Sequence, residues 1–241
     1  MRLYAEAVDA GEAGLLYQNS LAADDPDSLN SILDVDYSTG SNADANGHAV
    51  TTYGTAPTYT GGNAVFTNGA YRYTLTDADY EKLVKAATME TVLTINGETS
   101  NTWTGLFSNL NGGGLGLIYR HENNGTKPGH LNFQFYVNGD YRNLYYDIAV
   151  GEEVHIVATY DGTVANLYIN GERIGSLEIT GTIRDHGGRW MMVGADYGSA
   201  TNPAEARAKA SIAMVNLYSD AASYDQVQAM YQAAKTAHMG G

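Results

Sequence analysis

From about position 31 the chain alternates short apolar runs with clusters of Gly, Asn and Asp, a spacing that belongs to strands rather than helices. The pattern predicts strands over residues 32–37, 64–67, 70–74, 88–95, 104–110, 116–121, 130–138, 144–148, 154–160, 164–169, 173–179, 191–194 and 210–218. The clearest run is 130–138. There Leu131, Phe133, Phe135 and Val137 fall on one face while Asn132, Gln134 and Tyr136 fall on the other, as a pleat of period two requires. One face of that strand is predicted to be core and the other polar.

Turn chemistry supports the same reading. Asp161-Gly162 and Asn170-Gly171 accept positive φ, so residues 154–179 are expected to form two adjacent hairpins. Two helices interrupt the strands. Thr76 heads a Thr-x-x-Asp cap before Tyr80, Leu83 and Val84, and Ser223 heads a Ser-x-x-Gln box before Val227, Met230 and Tyr231; both read as short and peripheral. Residues 3–22 carry apolar residues at helical spacing, but Gly11 and Gly14 each cost about 1 kcal/mol relative to Ala in a helix. The division is therefore residues 1–29 as a linker or broken helix and residues 30–241 as one β domain that includes the C-terminal helix.

Composition narrows the function classes. A length of 241 residues suits one large β sandwich, and 28 Gly against 4 Pro suits a turn-rich fold. A net charge of −14 with only 13 Lys and Arg argues against nucleic acid and anionic membranes as partners, since both need clustered cations. No cysteine is present, so disulfides, thiolate metal sites and Cys nucleophiles are excluded. No apolar run approaches the roughly 20 residues of a membrane span, so membrane insertion is not expected. The N-terminus lacks a signal-peptide pattern, and the chain reads as an excerpt of a longer exported protein whose signal peptide lies outside it.

The run Glu153-Val-His-Ile-Val-Ala-Thr-Tyr-Asp-Gly162, followed by Val164-Ala-Asn-Leu-Tyr-Ile-Asn-Gly171, resembles the double hairpin of the laminin G-like, concanavalin A-like lectin/glucanase superfamily. Val193-Gly194-Ala195, then Ile212-Ala-Met-Val-Asn-Leu-Tyr-Ser219 and Ser223-Tyr-Asp-Gln-Val227, are similar to its ending, and residues 32–74 are similar to its opening strands. The resemblance implies an all-β, concanavalin A-like jelly-roll sandwich of two antiparallel sheets with the two short helices at its periphery. It also implies an extracellular or cell-surface module of a bacterial protein. Two positions depart from the pattern: Glu153 stands where the family has Trp, and Ala213 where it often has Asp.

The same fold hosts glycosidases, which place two Glu on one strand in an E-x-D-x-x-E run; none occurs here, Glu152-Glu153 and Asp34-Val-Asp36 being the nearest acidic pairs. The six histidines lack metal-binding spacing, Gly112-Gly-Gly-Leu-Gly116 lacks the Lys of a phosphate loop, and no Gly-x-Ser-x-Gly elbow is present. The chain is therefore expected not to be an enzyme. Sugars are bound by aromatic faces together with planar amides and charged groups. Trp103, Tyr119, Arg120, His121, Gln134, Tyr136, Asp185 and Trp190 are the carbohydrate-binding candidates. Many relatives hold a structural calcium ion at the sandwich edge, for which Asp34, Asp36 and Asn63 are the matching residues; solvated strand-end groups are the plainer reading of all three.

The expected function is a non-catalytic carbohydrate-binding or adhesion module of a secreted or surface bacterial protein, its partner a glycan or neighbouring domains of a larger protein. The alternatives are a structural or docking domain of an exported hydrolase such as a phosphoesterase, and a divergent glycoside hydrolase.

Overall fold

A computed structural model of the chain describes residues 25–99, 102–121, 129–197 and 204–240. In chain order its elements are β1 (Ser31–Asp36), β2 (Val50–Gly54), β3 (Thr58–Thr60), β4 (Asn63–Phe66), β5 (Gly69–Thr74), α1 (Asp77–Leu83), β6 (Ala87–Gly97), β7 (Trp103–Ser108) and β8 (Leu115–Arg120). They continue as β9 (Gly129–Val137), β10 (Asp140–Ile148), β11 (Glu153–Tyr160), β12 (Val164–Ile169), β13 (Glu172–Glu178), β14 (Trp190–Val193), β15 (Lys209–Tyr218) and α2 (Tyr224–Ala237). Two sheets result. The first has eight strands in the order β13-β12-β11-β6-β15-β4-β3, with β1 also paired to β15; the second has seven in the order β10-β9-β8-β7-β14-β5-β2.

Alternation along each strand explains how the sheets face each other. Leu131, Phe133, Phe135 and Val137 of β9 are all buried, and so are Val154, Ile156, Ala158 and Tyr160 of β11 in the opposite sheet. The ring centroids of Phe135 and Tyr160 lie 5.1 Å apart across the interior. Burial of such aromatic surface is the main stabilising contribution, about 1.5–3 kcal/mol for each fully buried large apolar side chain. The expected hairpins are present. Asn170 and Gly171 take φ of 51° and 80°, and Gly162 takes 90° beside an Asp161 carboxylate that accepts from the Thr163 and Val164 N–H groups.

The outer faces of the two sheets differ. Helix α2 covers that of the eight-stranded sheet, burying Val227, Met230 and Ala234 against Val157, Tyr168, Val92, Ala213 and Met214. It also covers a polar pair, Glu90 Oε1 at 2.9 Å from His155 Nε2, while the Asn216 amide and Tyr218 hydroxyl donate to Glu90 Oε2. The buried Ala213 thus occupies a helix-packing position. At fourteen residues, α2 is more than a peripheral ornament, whereas α1 is seven residues with the predicted Thr76 capping box. Among the described residues, no helix lies over the outer face of the seven-stranded sheet.

Two strands escape the hydrophobic pattern. β2 (Val-Thr-Thr-Tyr-Gly) and β3 (Thr-Tyr-Thr) are largely exposed edge strands, so their sequence lacks apolar alternation. The linker or broken helix expected before position 30 lies mostly outside the described residues; Pro26–Ser28 form a short 3-10 turn.

Candidate functional site

On the outer face of the seven-stranded sheet the strand register aligns side chains in rows. Trp103, Arg120, His130 and Asp147 form one; Gly105, Ile118, Asn132 and Tyr145 the next; Ser108, Gly116, Gln134 and Asn143 the third. Tyr136 and Tyr141 lie beyond. From His130 to Tyr136 the face runs roughly 20 Å, at about 3.4 Å per residue.

The rows are held by specific contacts. The Arg120 guanidinium lies 4.7 Å from the centroid of the Trp103 ring, and the ring is 38% exposed. Gln134 Nε2 donates to Asn143 Oδ1 at 2.9 Å, and His130 Nδ1 is 2.5 Å from Asp147 Oδ1. Between them the sheet is hollowed. Gly105 and Gly116 admit close neighbours: a Cβ on Gly105 would lie 2.2–2.3 Å from the backbone of Ala195 and Asp196, and one on Gly116 2.5 Å from Ser108 Cβ. A hollow of about 240 Å³ is lined by Trp103, Thr104, Gly105, Ile118, Gln134, Asp196 and Ala206.

Asp196 reaches this hollow because its chain segment crosses over the sheet after β14. Its carboxylate accepts from Ser108 Oγ at 2.7 Å and from the Tyr197 N–H at 2.9 Å. Burial disfavours its charged form and pushes its pKa up to about 6, against the lowering effect of those hydrogen bonds. Asn132, beside Ile118 on the same face, is fully buried, and both its amide nitrogen and its amide oxygen lack a hydrogen-bond partner. Such a group costs about 1–3 kcal/mol, the kind of defect native structures keep for a water or a ligand.

The sequence candidates separate into three groups. Trp103, Arg120 and Gln134 are brought together around the hollow. Tyr136 stands further along the same face, edge-on to Tyr141 at 4.9 Å and under Arg184 at 5.3 Å. Asp185 and Trp190 lie in and after the neighbouring loop: Asp185 holds Arg189, and Trp190 packs 4.2 Å from Tyr197 and 5.2 Å from His186. Tyr119 points the other way, into the core between the sheets, where burial takes it out of reach of anything on the outer face. His121 is buried at the end of β8, stacked at 6.4 Å on Tyr119. Asn143, Ser108 and Asp196 were not singled out by the sequence. Asn143 is visible only through its register with Gln134, and Asp196 only through the chain crossing.

Asp34, Asp36 and Asn63 lie at the far edge, on β1 and β4. Asp34 and Asp36 share the outward face of β1, but Asp36 already accepts from the Ser38 N–H at 2.8 Å, and the Asn63 amide donates to the Gly61 carbonyl at 2.9 Å. Among the described residues, no three His, Asp or Glu side chains converge to hold a metal ion. Calcium takes six to eight oxygens, so the geometry at this edge lends it no support.

No curated protein matches the chain in sequence. Among solved structures it is similar to the receptor-binding domain of botulinum neurotoxin C/D mosaic serotype, at 15% identity and a TM-score of 0.65, covering 86% of this chain and 52% of that one. It is similar to the binding domain of botulinum neurotoxin DC in complex with SialylT, at 10% identity and a TM-score of 0.65 over 85% and 51% of the two chains. The same domain in complex with rat synaptotagmin II matches at 11% identity and a TM-score of 0.65 over 86% and 52%. The chain spans about half the length of these domains, and at such identities the likeness is one of fold. A family model describing the concanavalin A-like lectin/glucanases superfamily matches residues 68–228, more than half of the chain, and the chain belongs to that superfamily.

Proposed function

We propose that this chain is a carbohydrate-binding module whose site is the outer face of its seven-stranded sheet. The observation that carries the reading is the hollow between Trp103, Ile118, Gln134 and Asp196: an exposed aromatic wall, a planar amide and a carboxylate whose charge burial disfavours, beside Gly105, against which the Ala195–Asp196 backbone packs. Sugar C–H faces pack on aromatic rings, and their hydroxyls need fixed donors and acceptors. Binding domains of the same fold in complex with SialylT and with rat synaptotagmin II favour recognition over catalysis by analogy. The module belongs to an extracellular or cell-surface protein.

The site works by binding alone. Among the described residues lining the hollow, Asp196 is the one carboxylate, whereas glycoside hydrolysis takes two facing groups. One observation favours a second reading, a divergent glycosidase: Asp196 exchanges both backbone hydrogen bonds with Glu205, at 3.0 and 2.9 Å, and its raised pKa suits an acid. Two experiments separate these readings. In amide NMR titrations with soluble oligosaccharides, binding shifts the resonances of β7 to β10 and leaves those under α2 unmoved; shifts confined to the eight-stranded sheet would overturn the assignment. Release of reducing ends that Asp196→Asn abolishes would establish the second reading instead.

A further inference from the structure

Beside the hollow, and sharing Trp103 and Ala206 with it, lies a larger groove of about 900 Å³. Its other lining residues include Asn68, Thr67, Glu205, Arg207 and Lys209. We propose that this groove is a second subsite that selects glycans bearing a carboxylate sugar, with Arg207 and Lys209 taking the carboxylate while Trp103 receives the adjoining ring. The proposal rests on the glycan-binding reading and adds to it the charge class of the ligand.

The charge distribution supports this. The chain carries a net charge of −14 and only 13 Lys and Arg, yet two of those cations line one groove. Neither Arg207 nor Lys209 has an acidic side chain within ion-pair distance among the described residues, whereas Arg189 and Arg142 do. Unneutralised cations facing a groove attract an anion.

Arg207 is also held in place. Its Nη1 donates to Asn68 Oδ1 at 3.1 Å, and its guanidinium lies against Gly54, where a Cβ would come within 3.2 Å of Cζ. Its Nε is buried without a hydrogen-bond partner. The preceding Ala206 sits at a φ of 46°, a left-handed conformation costing about 1–2 kcal/mol in a residue other than Gly. The Gly105 N–H fixes this strained residue by donating to the Ala206 carbonyl at 2.9 Å. Strain of this sort, over-determined by its surroundings, collects at binding sites. Together these features fix a guanidinium, a group suited to bidentate carboxylate recognition, in the wall of a polar groove.

Glu205 on the same wall limits the choice of anion. With Arg207, Lys209 and Glu205 the described lining carries a net single positive charge. That balance fits one carboxylate per bound sugar, and the negative field of the whole chain disfavours densely sulfated polymers.

The test is a glycan array in which uronate-containing and sialate-terminated oligosaccharides are each printed beside a neutral twin with the carboxyl group reduced to an alcohol. The wild-type chain is expected to retain acidic members of one of these two sets about tenfold better than their twins, a preference that falls as salt rises. The set that shows it identifies the source of the carboxylate. Arg207→Met and, separately, Lys209→Gln at its exposed position are expected to erase the acid preference, lowering retention of the acidic members to that of their neutral twins. Equal binding of acidic and neutral twins overturns the proposal while leaving the glycan-binding reading intact, and so does an acid preference that survives both variants. Binding of no glycan overturns both.

Discussion

Arg120 and Trp103 are cross-strand partners on β8 and β7, and the guanidinium of the first covers the indole of the second at 4.7 Å. A cation in that position holds one ring face and contributes roughly 0.5–1 kcal/mol at an exposed site. It also sets the ring orientation, so the indole walls both the hollow and the groove. Removal of Trp103 therefore removes a wall from each. Trp103→Ala is expected to weaken glycan binding at least tenfold while lowering stability little, because the ring is 38% exposed. Titration calorimetry with any glycan the wild type retains, together with a melting curve, checks both halves of this prediction.

Asp196 connects function with pH. Its pKa, pushed up to about 6 by burial, means that the folded state holds this proton more tightly than the unfolded chain. The sign is opposite to that of a salt-bridged carboxylate: stability falls as pH rises from about 4 to 6 and levels off above. Asp196→Asn keeps an oxygen for Ser108 and the Tyr197 N–H but removes the buried charge. The variant is expected to gain on the order of 1–2 kcal/mol over wild type at pH 8, with the gain shrinking toward pH 5, while glycan affinity drops. Urea melts at the two pH values measure the difference.

His48 carries a dependence of the same sign at higher pH. Burial works against its charged form, but hydrogen bonds to Asp79 and Asp44, at 3.1 and 2.6 Å, outweigh this and raise its pKa above 6.5. Its contribution is present in full below 6.5 and is lost as pH rises through the raised value. For Asp79, the Thr76 and His48 hydrogen bonds overcome burial and lower the pKa, so its share is lost only in acid, as pH falls from 3.8 through the lowered value. The stability difference between wild type and His48→Gln should therefore shrink with rising pH from about 6 to 8. A constant difference across that range would contradict the pairing.

Under α2, Glu90 joins His155, Asn216 and Tyr218 in a buried network, with the His155 ring stacked on Tyr231 at 5.7 Å. Glu90→Ala strands those partners without an acceptor, an expected loss of about 2–4 kcal/mol. Glu90→Gln keeps an acceptor oxygen and should cost clearly less. Chemical denaturation of the two variants ranks them, and equal losses would show that the network contributes only packing.

The limits of sequence reading follow from where information is local. Phe133, Phe135 and Val137 alternate within one strand, and Asn170-Gly171 encodes its own turn, so the sandwich and its double hairpin were legible from neighbouring residues. Gln134 was legible because it lies opposite that apolar face. β2 and β3 were not, since Thr- and Tyr-rich edge strands bury little and lack the alternation that marks a core strand. The site itself is non-local. Trp103, Gln134 and Asp196 come from three separate stretches of chain and meet only through strand order and the crossing after β14. Tyr119 shows the converse: next to the outward-facing Ile118, it is assigned to core or surface only by its register, which turns it inward with Leu115 and Leu117.

The most direct test of the central claim is a glycan array probed with the wild-type chain and with Trp103→Ala and Gln134→Ala. The account predicts at least one glycan class retained by the wild type and weakened about tenfold or more, roughly 1.4 kcal/mol, by each substitution. No binding at millimolar concentration, or a bound glycan indifferent to both substitutions, would contradict it.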